Sequence, residues 1–204
     1  MSTHKRTRRY VMKARADRQR ATYDRIVQAT VDLHREVGPA RTSIADIARR
    51  AGVQRLTVYN TFPTPRDLFT ACQRRFLTDS PPPDVRPPDG DPWNGLEGGL
   101  LTMYEWYAAN EAMERHVHRD RHLVPQLDEL MAKTADVAAA AIADAHAGAL
   151  ARGRPSPALR AFIRLAFDFG TWKFLSTEGL TSAKIARTMA AAAKALLGRR
   201  SRAQ

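Results

Sequence analysis

The side chains whose types and spacing most clearly indicate a chemical role in this sequence are basic, and most of them lie near its beginning. Guanidinium and ammonium groups at high density contact polyanions. Residues 1–20 contain eight Lys and Arg against one Asp, and residues 1–80 carry a net charge of +10 (17 against 7). Residues 81–204 carry a net charge of only +2 (16 against 14). The basic residues that precede Arg20 are Lys5, Arg6, Arg8, Arg9, Lys13, Arg15 and Arg18.

This asymmetry indicates a module that contacts a polyanion, followed by a module that does not. Nucleic acid is the leading partner, and an anionic membrane surface is the rival. The third interpretation is a solvated, disordered arm without any partner.

The segment HVHRDRH, residues 116–122, invites a metal interpretation. His118 and His122 are four positions apart and would share a helix face, whereas His116 would point elsewhere. The three arginines in and beside the segment would repel a divalent cation. We therefore predict no metal site and interpret the cluster, His118 above all, as solvated or as the edge of a ligand pocket.

Other motifs and the composition limit the class of protein. There is no Ser-His-Asp order, HExxH motif, P-loop or GxGxxG motif, so we expect neither an enzyme nor a cofactor. A single cysteine, Cys72, excludes an intramolecular disulfide and fits a reducing cytoplasm. No apolar run suits a secretory signal or reaches the ~18 residues of a membrane span. We expect a folded cytoplasmic protein with no membrane partner.

The first 80 residues contain the signals of a helix-turn-helix. Residues 14–37 predict a long amphipathic helix that Gly38 and Pro39 end. Thr42 or Ser43 caps a short second helix, and a third follows over residues 53–60. Between them, Gly52 can adopt the positive φ that a tight turn needs. Small Ala48 would let the two helices cross closely, with Val58 filling the gap between them.

Residues 25–77 resemble the TetR-type transcriptional repressors. The resemblance implies an all-α fold with an N-terminal three-helix helix-turn-helix DNA-binding domain and a C-terminal helical ligand-binding and dimerisation domain. The YxxF signature of the family stands here as residues 59–62. The other matching residues are Ile26, Ala29, Thr42, Ile47, Ala48, Ala51, Gly52, Val53, Thr57, Val58 and Leu68.

Three positions depart from the family pattern. Thr61 stands where the family often has His, and Pro65, followed by Arg66, stands where it usually has Lys. Both departures remove expected phosphate donors. Leu56 replaces a residue that is often small, which suggests an apolar contact with a thymine methyl group or a different operator.

The resemblance implies that residues 53–61 enter the DNA major groove. Arg55 would fork onto a guanine edge, and Gln54 or Asn60 would read adenine. Thr42 and Tyr59 would donate to phosphates, which sets the register on the duplex. Arg8 and Arg9, in an unfolded arm, would reach the adjacent minor groove. The predicted DNA-contacting residues are Arg8, Arg9, Thr42, Gln54, Arg55, Leu56, Thr57, Tyr59 and Asn60.

The second half is predicted to be helical after a loop over residues 80–91, which carries five of the twelve prolines. Helices are expected over 96–109, 111–118, 124–152, 156–174 and 181–196. The helix over 156–174 is apolar almost all round, so it needs cover on two sides. With the family resemblance, this predicts a homodimer through the last two helices and hence a palindromic operator.

The resemblance also implies an effector pocket in the helical core. The apolar, aromatic residues predicted to line this pocket indicate a lipophilic or planar small molecule as the effector. Plain core packing is the alternative role for each lining residue. The predicted lining residues are Met103, Trp106, Tyr107, His118, Met131, Phe167 and Trp172.

These expectations divide the chain into four parts. Residues 1–14 form a disordered basic arm, 15–63 the DNA-binding domain, 64–198 the effector-binding and dimerisation domain, and 199–204 a basic tail. The predicted function is a ligand-responsive dimeric repressor in which the fourth helix transmits a rigid-body swing to the recognition helices. The alternative is a non-specific architectural DNA-binding protein.

Overall fold

The computed structural model describes residues 3–151 and 153–198, with side chains described for 12–151 and 153–197. It divides into two units, Met1–Pro81 with Arg115–Leu130, and Pro82–Glu114 with Met131–Gln204. Within the described residues all regular structure is helical. The α-helices are α1 (Thr3–Glu36), α2 (Ile44–Ala51), α3 (Arg55–Thr61), α4 (Pro65–Asp79), α5 (Pro92–Ala109), α6 (Glu111–Asp120), α7 (Pro125–Lys133), α8 (Ala135–Leu150), α9 (Pro157–Ala166), α10 (Phe169–Thr177) and α11 (Ser182–Gly198).

The first unit is built around α1, which packs against both α2 and α4, while α2 packs against α3. Ala48 and Val58 lie in its buried core, as the helix-turn-helix pattern predicts. The all-α fold with an N-terminal helix-turn-helix is confirmed. The remaining buried members of this core are Ile26, Val27, Ala29, Leu33, Ile47, Ala51, Phe62, Leu68 and Ala71.

Local sequence signals set the ends of these helices. Ser43 caps α2 through a capping box with Asp46, so the cap is Ser43 and not Thr42. Gly52 ends α2 with φ +64°, the left-handed conformation predicted for the turn. Thr64 caps α4 in the same way as Ser43, with Pro65 in the first turn.

The second unit buries its core where α5 packs on α8 and α11, and where α9 packs on α8 and α11. Its fully buried side chains include Leu96, Leu100, Ile163 and Ile185. The Tyr104 hydroxyl donates to the carbonyl oxygen of Ala166 at 2.5 Å, which ties α5 to the last turn of α9.

Two predicted helices are each divided in the structure. The helix expected over 124–152 breaks at Thr134, whose φ of −123° is not helical, into α7 and α8. The helix expected over 156–174 ends at Ala166, because Asp168 caps a new helix by accepting from the Thr171 amide at 3.1 Å. The new helix buries Trp172 and leaves Phe174 64% exposed.

The expectation of a disordered arm over residues 1–14 is corrected by α1, which begins at Thr3. Residues 3–20 contain no Gly or Pro and include six Arg, two Lys and two Ala, which favour helix. The side chains of Arg8 and Arg9 lie outside those described, and so does the predicted basic tail over 199–204.

The two units also differ from the predicted domain boundary at residues 63 and 64. All of α4 groups with the first unit, because it packs along α1. Residues 115–130 join it as well, although the chain on both sides of them belongs to the second unit. Among the helices of the described part, none has the length and apolar character needed to cross a membrane.

Candidate nucleic-acid interface

The exposed side of α3 is the candidate DNA-reading surface. Leu56 is 64% exposed and Tyr59 is 56% exposed, so both side chains are accessible to a partner. Val58 and Phe62 turn inward and are buried. No carboxylate interrupts α3, whose sequence is RLTVYNT. The reading face therefore consists of half-buried Thr57 and exposed Gln54, Arg55, Leu56, Tyr59 and Asn60.

Contacts within the first unit hold α3 in place. The rings of Tyr23 in α1 and Phe62 at the end of α3 lie 5.0 Å apart. Arg50 in α2 donates to both carboxylate oxygens of Glu36 in α1, at 2.7 and 2.6 Å. Because α2 is held on α1 and α3 on α2, the reading face is carried by a rigid support.

Thr42, which is predicted to donate a hydrogen bond to a DNA phosphate, instead donates its hydroxyl hydrogen to another group of the protein. The Oγ1 of Thr42 donates to the carbonyl oxygen of Gly38 at 2.8 Å. A hydroxyl has one hydrogen, so this bond must open before Thr42 can donate to a phosphate. Thr61, at the position of the family's frequent His, likewise donates to Thr57 O at 2.7 Å. Arg66 follows Pro65, the position at which the family usually has Lys. Its guanidinium lies 3.6 Å from the Glu129 carboxylate, which partly neutralises its charge.

Sequence inspection missed the contact between the end of α1 and residues 116–120, which we name the α1 clasp and define as His116, Arg119 and Asp120. The Nδ1 of His116 donates to the carbonyl oxygen of Arg35 at 3.0 Å. Arg119 donates to Val37 O at 2.9 Å, and the Asp120 carboxylate accepts from the Ala40 amide at 3.0 Å. These bonds satisfy backbone groups that the end of a helix leaves without partners.

Asp120 is the buried centre of the clasp, with 1% of its side chain exposed. The hydrogen bond from Arg119 lowers the pKa of Asp120, which keeps the carboxylate ionised where it receives the Ala40 amide. The only sequence signals for this arrangement were the Gly-Pro pair after α1 and the charged segment HVHRDRH.

The three histidines of that segment separate. His116 is buried against α1, whereas the side chain of His122 is 77% exposed with its Nδ1 3.7 Å from Asp128. Among the described residues, no three His, Cys, Asp or Glu side chains are grouped as metal ligands would be.

His34 and Cys72 form a second buried polar contact, between α1 and α4. The Nδ1 of His34 lies 3.5 Å from the Cys72 Sγ, and its ring stacks on Phe69 at 5.4 Å. Burial lowers the pKa of His34 to about 4 and raises the pKa of the Cys72 thiol to about 12. Both side chains are therefore neutral at pH 7.

His34 should make the stability of the first unit depend on pH. The unfolded chain binds a proton at His34 near pH 6.5, whereas the folded chain does so only near pH 4. Acidification between these values therefore favours the unfolded state, by roughly 3 kcal/mol at about 1.4 kcal/mol per pKa unit. The His34→Phe variant keeps a ring on Phe69 and should lose this part of the pH dependence in urea unfolding. His122→Gln is the exposed control, and an equal pH dependence in wild type and His34→Phe would contradict the assignment.

Five of the seven predicted effector-contacting residues meet in the second unit. Tyr107 lies 5.7 Å from Trp106 and 5.9 Å from Trp172 by ring centroids, and its hydroxyl donates to Phe167 O at 2.7 Å. Met103 belongs to the same core. Met131 is buried in the second unit outside this core, and His118 belongs to the first unit, so neither joins the aromatic group.

His146 is a buried polar residue of this core that the sequence did not reveal. Its Nε2 donates to Val85 O at 2.7 Å, and its ring lies 5.1 Å from that of Phe167. Its Nδ1 has no hydrogen-bond partner among the described residues. Burial lowers the pKa of His146, so the ring is neutral and Nδ1 presents a bare acceptor.

Known proteins were compared with the chain by family, sequence and structure. Residues 26–72 match the family described as bacterial regulatory proteins, tetR family. No curated protein matches the sequence. A tetR-family transcriptional regulator from Streptomyces coelicolor has a similar structure, with a TM-score of 0.61 and 20% identity over 86% of this chain and 82% of that one. A TetR transcriptional regulator from Rhodococcus sp. RHA1 gives a TM-score of 0.45 and 20% identity over 89% and 97%.

The matched segment runs from the core of α1 through α2 and the reading face of α3 into α4, which are the elements that form the helix-turn-helix. The structural likeness to the Streptomyces protein supports the same all-α fold. Through residues 26–72 the chain is similar to the tetR family of bacterial regulatory proteins, and this similarity supports a DNA-binding regulator.

Proposed function

We propose that this protein is a dimeric transcriptional repressor that binds a palindromic operator and is released by a small lipophilic or aromatic effector. The observation that carries the proposal is the reading face, where a guanidinium, two amides, two hydroxyl groups and an exposed leucine lie on α3 and at its N-cap. Arg55 suits a guanine edge, Gln54 and Asn60 suit adenine, and Leu56 suits a thymine methyl group.

Dimerisation is supported by apolar side chains on the helices that follow residue 156. Leu165 in α9, Phe174 in α10 and Leu196 in α11 are 52%, 64% and 42% exposed in the single chain. A second copy covering these side chains would remove that apolar surface from water. A two-fold dimer presents two identical reading faces and therefore favours an operator with inverted half-sites.

An effector site is supported by the aromatic residues around Tyr107 in the second unit. Trp106, Tyr107 and Trp172 supply ring surfaces, and the Nδ1 of His146 supplies an acceptor in the same core. This combination favours a planar, largely apolar molecule that carries one hydrogen-bond donor. We expect the protein to bind this molecule without catalysing its conversion.

The signal would reach the reading face through α4 and the α1 clasp. Residues 115–130 belong to the first unit, and their neighbours on both sides along the chain belong to the second. A shift of Asp120 would therefore move Ala40, which lies in the turn between α1 and α2. A shift of Glu129 would act on Arg66 in α4. Two reading faces whose spacing changes in this way lose affinity for a fixed operator.

The test is selection of bound duplexes from a random DNA pool, followed by sedimentation of the protein with and without the selected DNA. We expect an inverted repeat, one dimer on it, and release by aromatic compounds from a screened set. Phe174→Glu should give a monomer with at least tenfold weaker operator binding, whereas Val137→Glu, at a position 60% exposed on α8, should change neither.

Two outcomes would contradict the proposal. Uniform coverage of every duplex would instead support a non-specific architectural DNA-binding protein. A monomeric wild type on a single asymmetric site would remove the dimer and the palindrome together.

A further inference from the structure

A groove of about 1140 Å³ lies within the first unit, between α1, α3 and α4. Arginines stand on two sides of it, with three from α1 and two from α4, and Asp24 is the one carboxylate among its lining residues. We name it the arginine groove. Its arginines are Arg15, Arg18, Arg20, Arg74 and Arg75.

We propose that the arginine groove binds the sugar–phosphate backbone of DNA beside the bases that α3 reads. This inference rests on the proposed function and adds a second DNA surface to it. Thr57 and Asn60 belong both to the reading face and to the lining of the groove. A strand whose bases face Asn60 would therefore continue along the arginines of α1.

The charges in the groove fit a chain of phosphates. Arg15, Arg18 and Arg20 are exposed, so their guanidinium groups can reach a ligand without a large desolvation cost. Arg74 is held by its hydrogen bond to the Tyr23 hydroxyl at 3.0 Å, and Arg75 by Asp79 at 2.7 Å. Asp79 therefore partly neutralises Arg75 on the α4 wall. The α1 wall presents three guanidinium groups that can bind successive phosphates bidentately.

Because α1 is helical, we expect it to contact the phosphate backbone of DNA and not to enter the minor groove. An α-helix with its side chains is about 10 Å wide, whereas the minor groove of B-DNA is about 6 Å wide. Because residues 3–20 are helical, this segment cannot enter the minor groove as an extended arm would. A helix lying along the duplex meets phosphates first.

The experiment compares wild type with the double variant Arg15→Gln/Arg18→Gln on two duplexes, the selected one and a scrambled sequence of the same composition. The variant removes two phosphate contacts from each subunit, four per dimer, and should therefore reduce the slope of log affinity against log salt concentration by about 3.6. Because phosphate contacts carry no base information, both duplexes should weaken by the same factor. The matched control is Arg86→Gln/Arg154→Gln, which removes the same charge from two exposed positions of the second unit.

An unchanged salt slope in Arg15→Gln/Arg18→Gln, or an equal change in the control pair, would overturn the groove assignment. Weakening on the selected duplex alone would overturn it as well, since it would indicate base contacts. Failure of the proposed function would give a different result, because wild type would then bind the selected and the scrambled duplex with equal affinity. The salt slope on the scrambled duplex would still test the groove in that case.

Discussion

The Gly38→Ala variant is expected to lose about 3 kcal/mol of unfolding free energy, at the upper end for a strained backbone position. Gly38 has φ +97° and ψ 160°, a conformation that is nearly restricted to glycine. A Cβ at this position would also clash with the Arg119 guanidinium and the Asp120 carboxylate of the clasp. Urea unfolding monitored by circular dichroism measures the loss.

Gly90→Ala is the matched control, because Gly90 also has a positive φ of +120° but its Cβ would meet nothing within 4 Å. We expect this variant to lose about 1 kcal/mol from backbone strain alone. Equal losses in the two variants would mean that the clasp yields to the added methyl group. The clasp would then be too soft to transmit a signal to α2.

Arg55→Ala should weaken binding of the dimer to the selected duplex by at least about 30-fold, because it removes two bidentate contacts to guanine edges, each worth about 1–3 kcal/mol. Binding to a scrambled duplex should change much less, so that the preference between the two duplexes falls by nearly the same factor. Arg55 is exposed on α3, so the variant should keep its fold. Fluorescence anisotropy with both duplexes at one salt concentration measures the preference.

Arg86→Ala removes the same charge from an exposed position of the second unit and should leave the preference unchanged. Equal weakening on both duplexes in Arg55→Ala would reassign Arg55 to a phosphate. That outcome would resemble the behaviour expected of Arg15 and Arg18 in the arginine groove.

Features encoded by neighbouring residues were predictable in this protein. The positive φ of Gly52, the cap of α2 and the inward side of α3 each depend on side chains and backbone groups a few positions apart. The helix breaks at Thr134 and Asp168 were missed, because the apolar pattern continues through both and a single cap decides the second.

Contacts between distant parts of the chain needed the tertiary structure. The hydrogen bond from the Ala40 amide to Asp120 joins residues 80 positions apart, and that from His116 to His34 O joins residues 82 apart. No periodicity or motif in either segment specifies the other. From the sequence alone, the clasp segment was therefore interpreted only as a solvated histidine cluster or the edge of a ligand pocket.

The sequence by itself determined that the first 80 residues are a basic helix-turn-helix, because charge, caps and helical spacing are local properties. The tertiary structure decided where the basic residues stand. It places five arginines around one groove beside α3, makes residues 3–14 helical, and brings residues 115–130 to the end of α1. Several arrangements of packed helices are compatible with the same local sequence patterns. The tertiary structure shows which arrangement has the lowest free energy.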